Sequence, residues 1–303
     1  MLVDEIILAF PLLTSVLGEK WLRQNLWYED FISLRLEWYD QLERNLRSLF
    51  SSVGLQPLRK CYGSMLRDQK SIWTTLYEIN GVSLVGEAST SLEIHVPRGD
   101  SSGRNFDAKA IINGTELNIE CKTRKDDFPF QHAQNIGRSR ENSNSFGFQI
   151  HAGPHDAAEL GLGFDFPDRD PSFKTTPAST EVRQIMSKGL AQLPVTGCNL
   201  ILLGELGFSN DIDEALFGTE LVYFHREAAT RQYLSHWTRA PTGAFCSGPP
   251  GEPFRQLSGI LWFRLLSALG SEYKLYVNPN AISPIPDDVV IALDYVIEQW
   301  TNH

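Results

Sequence analysis

Apolar positions recur along this chain with two different periods. From residue 1 to about 62, Trp21, Leu22, Leu26, Phe31, Ile32, Leu36, Leu42, Leu46, Leu49 and Phe50 return at roughly helical intervals, which predicts a helical N-terminal region over 1–65. Residues 68–87, DQKSIWTTLYEINGVSLVGE, predict a further helix with Trp73, Leu76, Tyr77, Ile79 and Leu84 on its apolar faces. Ser91–Val96 then alternates as a short strand, closed by Pro97-Arg98-Gly99. Phe106–Lys122 is two alternating strands joined by Asn113-Gly114, the strongest short signal for a two-residue hairpin turn.

Residues 143–177 are rich in Gly, Pro, Ser and Asp and predict a long loop or lid. Helical periodicity resumes over 178–192, where Ser179 or Thr180 offers a cap. The continuous apolar run Cys198–Leu203 suits a strand buried on both faces. A short helix is expected at Ile212–Leu216, a linker-like stretch at 240–253, a helix at Ser258–Leu269, a strand at Tyr273–Val277 and a last helix at Asp287–Trp300. These elements divide into a helical region 1–65, an α/β core 66–206 and an α/β extension 207–303 packed on it.

Composition narrows the class. Of 303 residues, 42% are hydrophobic and 21% charged, ordinary for a globular protein able to build its own core. Cys61, Cys121, Cys198 and Cys246 form no CxxC pair, which argues against a zinc ribbon or disulfide framework and fits a reducing, cytoplasmic setting. The apolar stretch Ile6–Leu17 is too short to span a bilayer, and Asp4 and Glu5 precede it where a secretory signal needs positive charge. No membrane association is expected. The net charge of -10 opposes a simple DNA-coating role. Locally, however, Arg104, Lys109, Lys122, Arg124, Lys125, Arg138 and Arg140 make 104–140 basic.

The hairpin carries the chemistry. A two-residue turn sets Ile112 opposite Thr115 and, by extension, Asp107 opposite Glu120. Side chains alternate, so Phe106, Ala108, Ala110, Ile112, Leu117, Ile119 and Cys121 share one face, a core face. Asp107, Lys109, Ile111, Glu116, Asn118, Glu120 and Lys122 share the other. Facing carboxylates repel unless a cation lies between them. Magnesium suits such a pair, because it prefers oxygen ligands and keeps several waters. A lysine two residues from one of the acids can offset charge on a phosphodiester as it reacts.

Asp107, twelve residues, and Glu120-Cys121-Lys122 within LNIECKT resemble the signature of the PD-(D/E)XK nuclease superfamily. The order helix, strand, hairpin, helix, strand over about 68–206 resembles its α-β-β-β-α-β core. The resemblance implies a restriction-endonuclease-like mixed sheet flanked by helices, and a Mg²⁺- or Mn²⁺-dependent nuclease acting on DNA. It implies Asp107, Glu120 and the Cys121 carbonyl as metal ligands, and Lys122 as the group that positions water and stabilises charge. Members often add a glutamate from the first helix, for which Glu78 is the choice and Glu87 the runner-up. Gln131, Arg124 and Lys125 are candidates for contact with substrate. Phe106 stands where members carry proline before the aspartate.

Blander readings stand beside these. Charged residues normally line the solvated face of an antiparallel sheet, where Lys109 or Lys122 would pair with Asp107 or Glu120. The alternative function is an inactive module of this fold that binds a protein partner, another copy or nucleic acid. Among His132, His151 and His155, zinc binding by the last two would need a shared helix face, which Gly153-Pro154 opposes. Trp21, Trp27, Tyr28 and Trp38 read as core rather than a binding surface.

Overall fold

In a computed structural model of the chain, residues 3–24, 36–68, 71–99, 103–124, 178–205, 212–218, 220–226, 233–266 and 270–301 are described. Their strands are β1 (Ser91–Pro97), β2 (Asn105–Ile112), β3 (Thr115–Arg124), β4 (Cys198–Glu205), β5 (Glu220–Arg226), β6 (Tyr233–Arg239), β7 (Gly259–Leu266) and β8 (Gly270–Val277). Six form one mixed sheet in the order β1-β2-β3-β4-β7-β8, and β5 and β6 pair separately. β2 runs antiparallel to both β1 and β3, while β3, β4 and β7 run parallel to one another, and β8 closes the sheet antiparallel to β7.

The helices are α1 (Val3–Ala9), α2 (Pro11–Leu17), α3 (Glu19–Gln24), α4 (Leu36–Val53), α5 (Leu55–Cys61), α6 (Gly63–Arg67), α7 (Ile72–Ala88), α8 (Ala178–Leu190), α9 (Ile212–Phe217) and α10 (Asp287–Thr301). None among the described residues is long and apolar enough to cross a membrane. The fold is mixed α/β, a six-stranded sheet flanked by helices.

Each sheet face has its own apolar core. Ala108, Ala110, Ile112, Leu117, Ile119, Leu200, Leu202, Leu261 and Phe263 pack with α7, α10 and the N-terminal helices in a first core. Ile201, Leu203, Ile260 and Trp262 pack with α8 and α9 in a second. Helix α7 is buried around most of its circumference, including its polar residues Thr75, Asn80 and Ser83. Gly81 lets it lie close to the sheet, since a Cβ there would stand 3.0 Å from Leu202 Cδ1 and 3.1 Å from Phe263 Cε1. That close approach carries Glu78, one turn earlier, toward the strands. At the N-terminus, Glu43 on α4 accepts the Leu12 and Leu13 amides of α2 at 3.1 and 2.8 Å, which ties the first helices to the rest.

The helix expected at Ser258–Leu269 is instead strand β7. A run of eight mostly apolar residues fits a buried helix or a buried strand equally well by periodicity. Here Leu261 and Phe263 face one core while Ile260 and Trp262 face the other, which only a strand can do. Of the expected C-terminal extension, β7 and β8 therefore extend the central sheet. The β5–β6 hairpin was not anticipated from the sequence. The expected loop 143–177, Trp27, Tyr28, His132, His151 and His155 lie outside the described residues.

Candidate metal centre at the parting of two strands

The β2–β3 turn has the backbone its sequence demands. Asn113 and Gly114 take φ of 48° and 79°, the left-handed pair of a type I′ turn. Pairing runs from Ile112↔Thr115 to Ala108↔Ile119 and stops one position short of Asp107 and Glu120. There the strands part. The Cys121 N–H, left without a ladder partner, donates to Asp107 Oδ2 at 2.7 Å.

The other edge of β2 is interrupted at the same place. β1 pairs with β2 from Ser91↔Ile111 to Ile94↔Ala108 and again at Val96↔Phe106, passing over His95 and Asp107. His95 has φ 52°, a left-handed value that cannot continue a pleat. Beyond it the side chains change faces: Ile94 and Ala108 belong to the first core, Val96 and Phe106 to the second. Phe106, expected on the same face as Ala108, is thus displaced by the conformation of the residue across from Asp107.

On β3 the alternation holds. Ile119 and Cys121 pack toward the first core, so Glu120 and Lys122 leave the strand on the opposite face. Glu78 arrives from α7, on the first-core side. Asp107, at the gap, lies near both acids: its negative charge raises Glu78 and Glu120 alike.

The acids are poorly neutralised. Glu120 is buried, with 2% of its side chain exposed; one oxygen accepts from Lys122 Nζ, and Oε2 has no partner. Burial first, then the charge of Asp107, pushes the Glu120 carboxyl up to about 7, while Lys122 opposes the rise. Burial also lifts Asp107 above the usual carboxylate range, opposed by the Cys121 amide and by Lys122. Glu78 is pushed well above that range by burial and by Asp107, against the nearby Tyr62 hydroxyl. Its Oε1 is buried without a hydrogen bond. Lys122 Nζ also donates to the Cys121 carbonyl at 3.2 Å and to Gln192 Oε1 at 2.8 Å, just past the end of α8.

No known protein family, curated protein or solved structure matches this chain. The chemistry of the site is therefore argued from its own residues. Among the described residues no group of three or more His, Cys, Asp or Glu side chains could hold a metal ion. A hard cation such as Mg²⁺ does not need such a group, because one or two carboxylates and several waters suffice. Asp107 and Glu120, together with the Cys121 carbonyl, could supply that number of oxygens, and the orphaned Glu120 Oε2 marks an unmet demand for positive charge.

Of the residues expected in the site, Glu78, Asp107, Glu120, Cys121 and Lys122 come together. Glu87 does not join them; its carboxylate accepts the Trp300 indole N–H at 2.7 Å. Arg124, expected at the substrate, is buried and held by Glu181 at 3.0 Å and Glu205 at 2.9 Å. Lys125 and Gln131 lie outside the described residues. Sequence reasoning missed His95, Tyr62 and Gln192. Only Gln192 had a signal, as the last residue of the predicted helix.

Proposed function

We propose that this chain is a metal-dependent nuclease of restriction-endonuclease-like fold, hydrolysing phosphodiester bonds in DNA. The observation that carries the reading is a cluster of three buried acids, Glu78, Asp107 and Glu120, beside Lys122 as their one ammonium among the described residues, with carboxylate oxygens left unpartnered. Structural ion pairs are normally balanced; a site short of positive charge is one that receives it. The order of the elements around the hairpin supports the same reading.

Asp107 and Glu120, with the Cys121 carbonyl, would hold Mg²⁺ or Mn²⁺, and Glu78 would serve a second ion or its water shell. The bound metal supplies Lewis-acid activation of the phosphate and a nucleophilic water. Lys122, steadied by Gln192, orients that water and offsets charge on the phosphoryl oxygens. The walls from α7 and the sheet limit access of bulk solvent, which strengthens each of these interactions.

A non-catalytic module that binds nucleic acid, a protein partner or another copy is the second reading, favoured by the net charge of -10 and by the commitment of Arg124 to two glutamates. One pair of measurements separates them: single-turnover DNA cleavage with Mg²⁺, and DNA binding with Ca²⁺, for wild type and Lys122→Ala. The nuclease reading requires a loss of about 10²–10³ in cleavage rate, as for removal of one preorganised charge-stabilising group. Equal cleavage by both proteins above an EDTA blank would place the activity elsewhere. No cleavage by wild type, with DNA binding that weakens modestly in the variant, would favour the binding module.

A further inference from the structure

The left-handed backbone at His95 has a chemical consequence. Ile94 already faces the first core, and simple alternation would send His95 to the other side. Its φ of 52° turns the imidazole back toward α7 instead. There it meets the Tyr62 ring edge-on, with centroids 5.8 Å apart and planes at 68°. Its Nε2 stands 3.6 Å from Glu78 Oε1. Both atoms are buried, and neither has a hydrogen-bond partner.

That separation is too long for a hydrogen bond. It is close to the spacing of two ligands on one tetrahedral ion: bonds of about 2.0–2.2 Å place ligand atoms about 3.4 Å apart. A strained backbone that presents a bare imidazole nitrogen to a bare carboxylate oxygen, beside Asp107, is the kind of arrangement that persists where it serves a function.

We propose that Glu78 Oε1 and His95 Nε2 are two ligands of a divalent transition-metal ion next to the Asp107–Glu120 site, for which Mn²⁺ serves as the paramagnetic probe, and that such ions bind there in preference to Mg²⁺. This rests on the reading that this end of the sheet takes divalent cations, and it names which ones. Mg²⁺ calls for oxygen ligands, whereas imidazole suits transition metals. Waters complete the shell.

The test uses the full chain and Mn²⁺ itself. Calorimetric titration with Mn²⁺ and Mg²⁺ is compared for wild type, His95→Asn and Glu120→Gln, and the Mn²⁺-loaded proteins are examined by pulsed electron paramagnetic resonance for nitrogen coupling. Asn tolerates positive φ, so the substitution spares the backbone. The expected result is histidine-nitrogen coupling in wild type that disappears in His95→Asn, with Mn²⁺ affinity down at least about tenfold and Mg²⁺ affinity unchanged. If His95→Asn does not fold, histidine-selective ¹⁵N labelling of wild type must convert the coupling to that of ¹⁵N. Mn²⁺ bound without nitrogen coupling, or with coupling that survives His95→Asn, overturns the proposal. If that binding still weakens in Glu120→Gln, the nuclease reading stands without it. Absence of Mn²⁺ binding altogether removes both.

Discussion

Glu120 and Arg124 lie four residues apart on β3, both buried and both charged, yet their surroundings differ in kind. Arg124 belongs to a row across the ends of three parallel strands, in register with Glu205 on β4, which is in register with Arg264 on β7. Glu205 accepts from Arg124 at 2.9 Å and from the Trp262 indole at 2.6 Å, and Arg264 lies 3.7 Å away. Glu181 and Glu272 supply the remaining counter-charges. Around Glu120, among the described residues, three acids share one lysine and leave oxygens bare. In the row of Arg124 three glutamates meet two arginines and every buried charge has an opposite partner; such a network holds strands in place. One that leaves carboxylate oxygens bare costs stability until something positive arrives, and that asymmetry is the better guide to where ligands bind.

The contrast can be broken most severely at the fully partnered row. Glu205→Ala should lower stability by about 3 kcal/mol in urea unfolding, the low end for removing one partner of a buried ion pair, because Glu181 and Glu272 remain. A loss near zero would show the row to be dispensable and the contrast false. Asp107→Asn should do the reverse. The amide can still accept the Cys121 N–H, and repulsion of Glu78 and Glu120 is relieved, so metal-free stability should be equal or higher. The thermal response to metal should vanish, against about 2.7 kcal/mol for wild type at a hundredfold excess over Kd. A badly destabilised metal-free variant would mean that Asp107 is a structural acid.

The last effect is on pH. Glu120 titrates near 7 in the folded protein against an ordinary value of 4.5. Between these values the folded state keeps a proton that the unfolded chain gives up, so stability from this group is present below about 4.5 and is lost as pH rises toward 7. In EDTA, wild type should therefore lose stability relative to Glu120→Gln across that window. Taking the difference cancels His95 and Glu205, which both proteins share. A difference that stays flat, or rises with pH, would indicate that Glu120 is ionised and paired like Arg124's partners.

Much of this was readable in the chain. The Asn113-Gly114 turn determines the register of the hairpin locally, and α7, β1, β4, α8 and α10 each announce themselves by period and by flanking Gly, Pro or cap residues. The nomination of Asp107, Glu120 and Lys122 rests on that register, whereas Glu78 is suggested only by the family resemblance. What could not be read depends on distant partners. β7 looks helical until β4 and β8 lie on either side of it. The positive φ of His95 leaves no trace in SLEIHVP, since the strand's alternation gives no warning of a residue that abandons it. The fate of Arg124 was equally hidden, because Glu205 reaches it from eighty-one positions away.

The meander of β1, β2 and β3 also sets an order of events in folding. Every acid of the site, with His95 and Lys122, lies within residues 78–122, and its strands are joined by short connections. β3 can pair with β4 only after the chain closes across 125–197, and β4 with β7 across 206–258. Contacts close in sequence form sooner than those that must close long loops. The expected order is that the acids of the site meet on a three-stranded antiparallel scaffold ahead of the parallel half of the sheet, while water can still reach them, and are sealed in as α8 and β4 arrive.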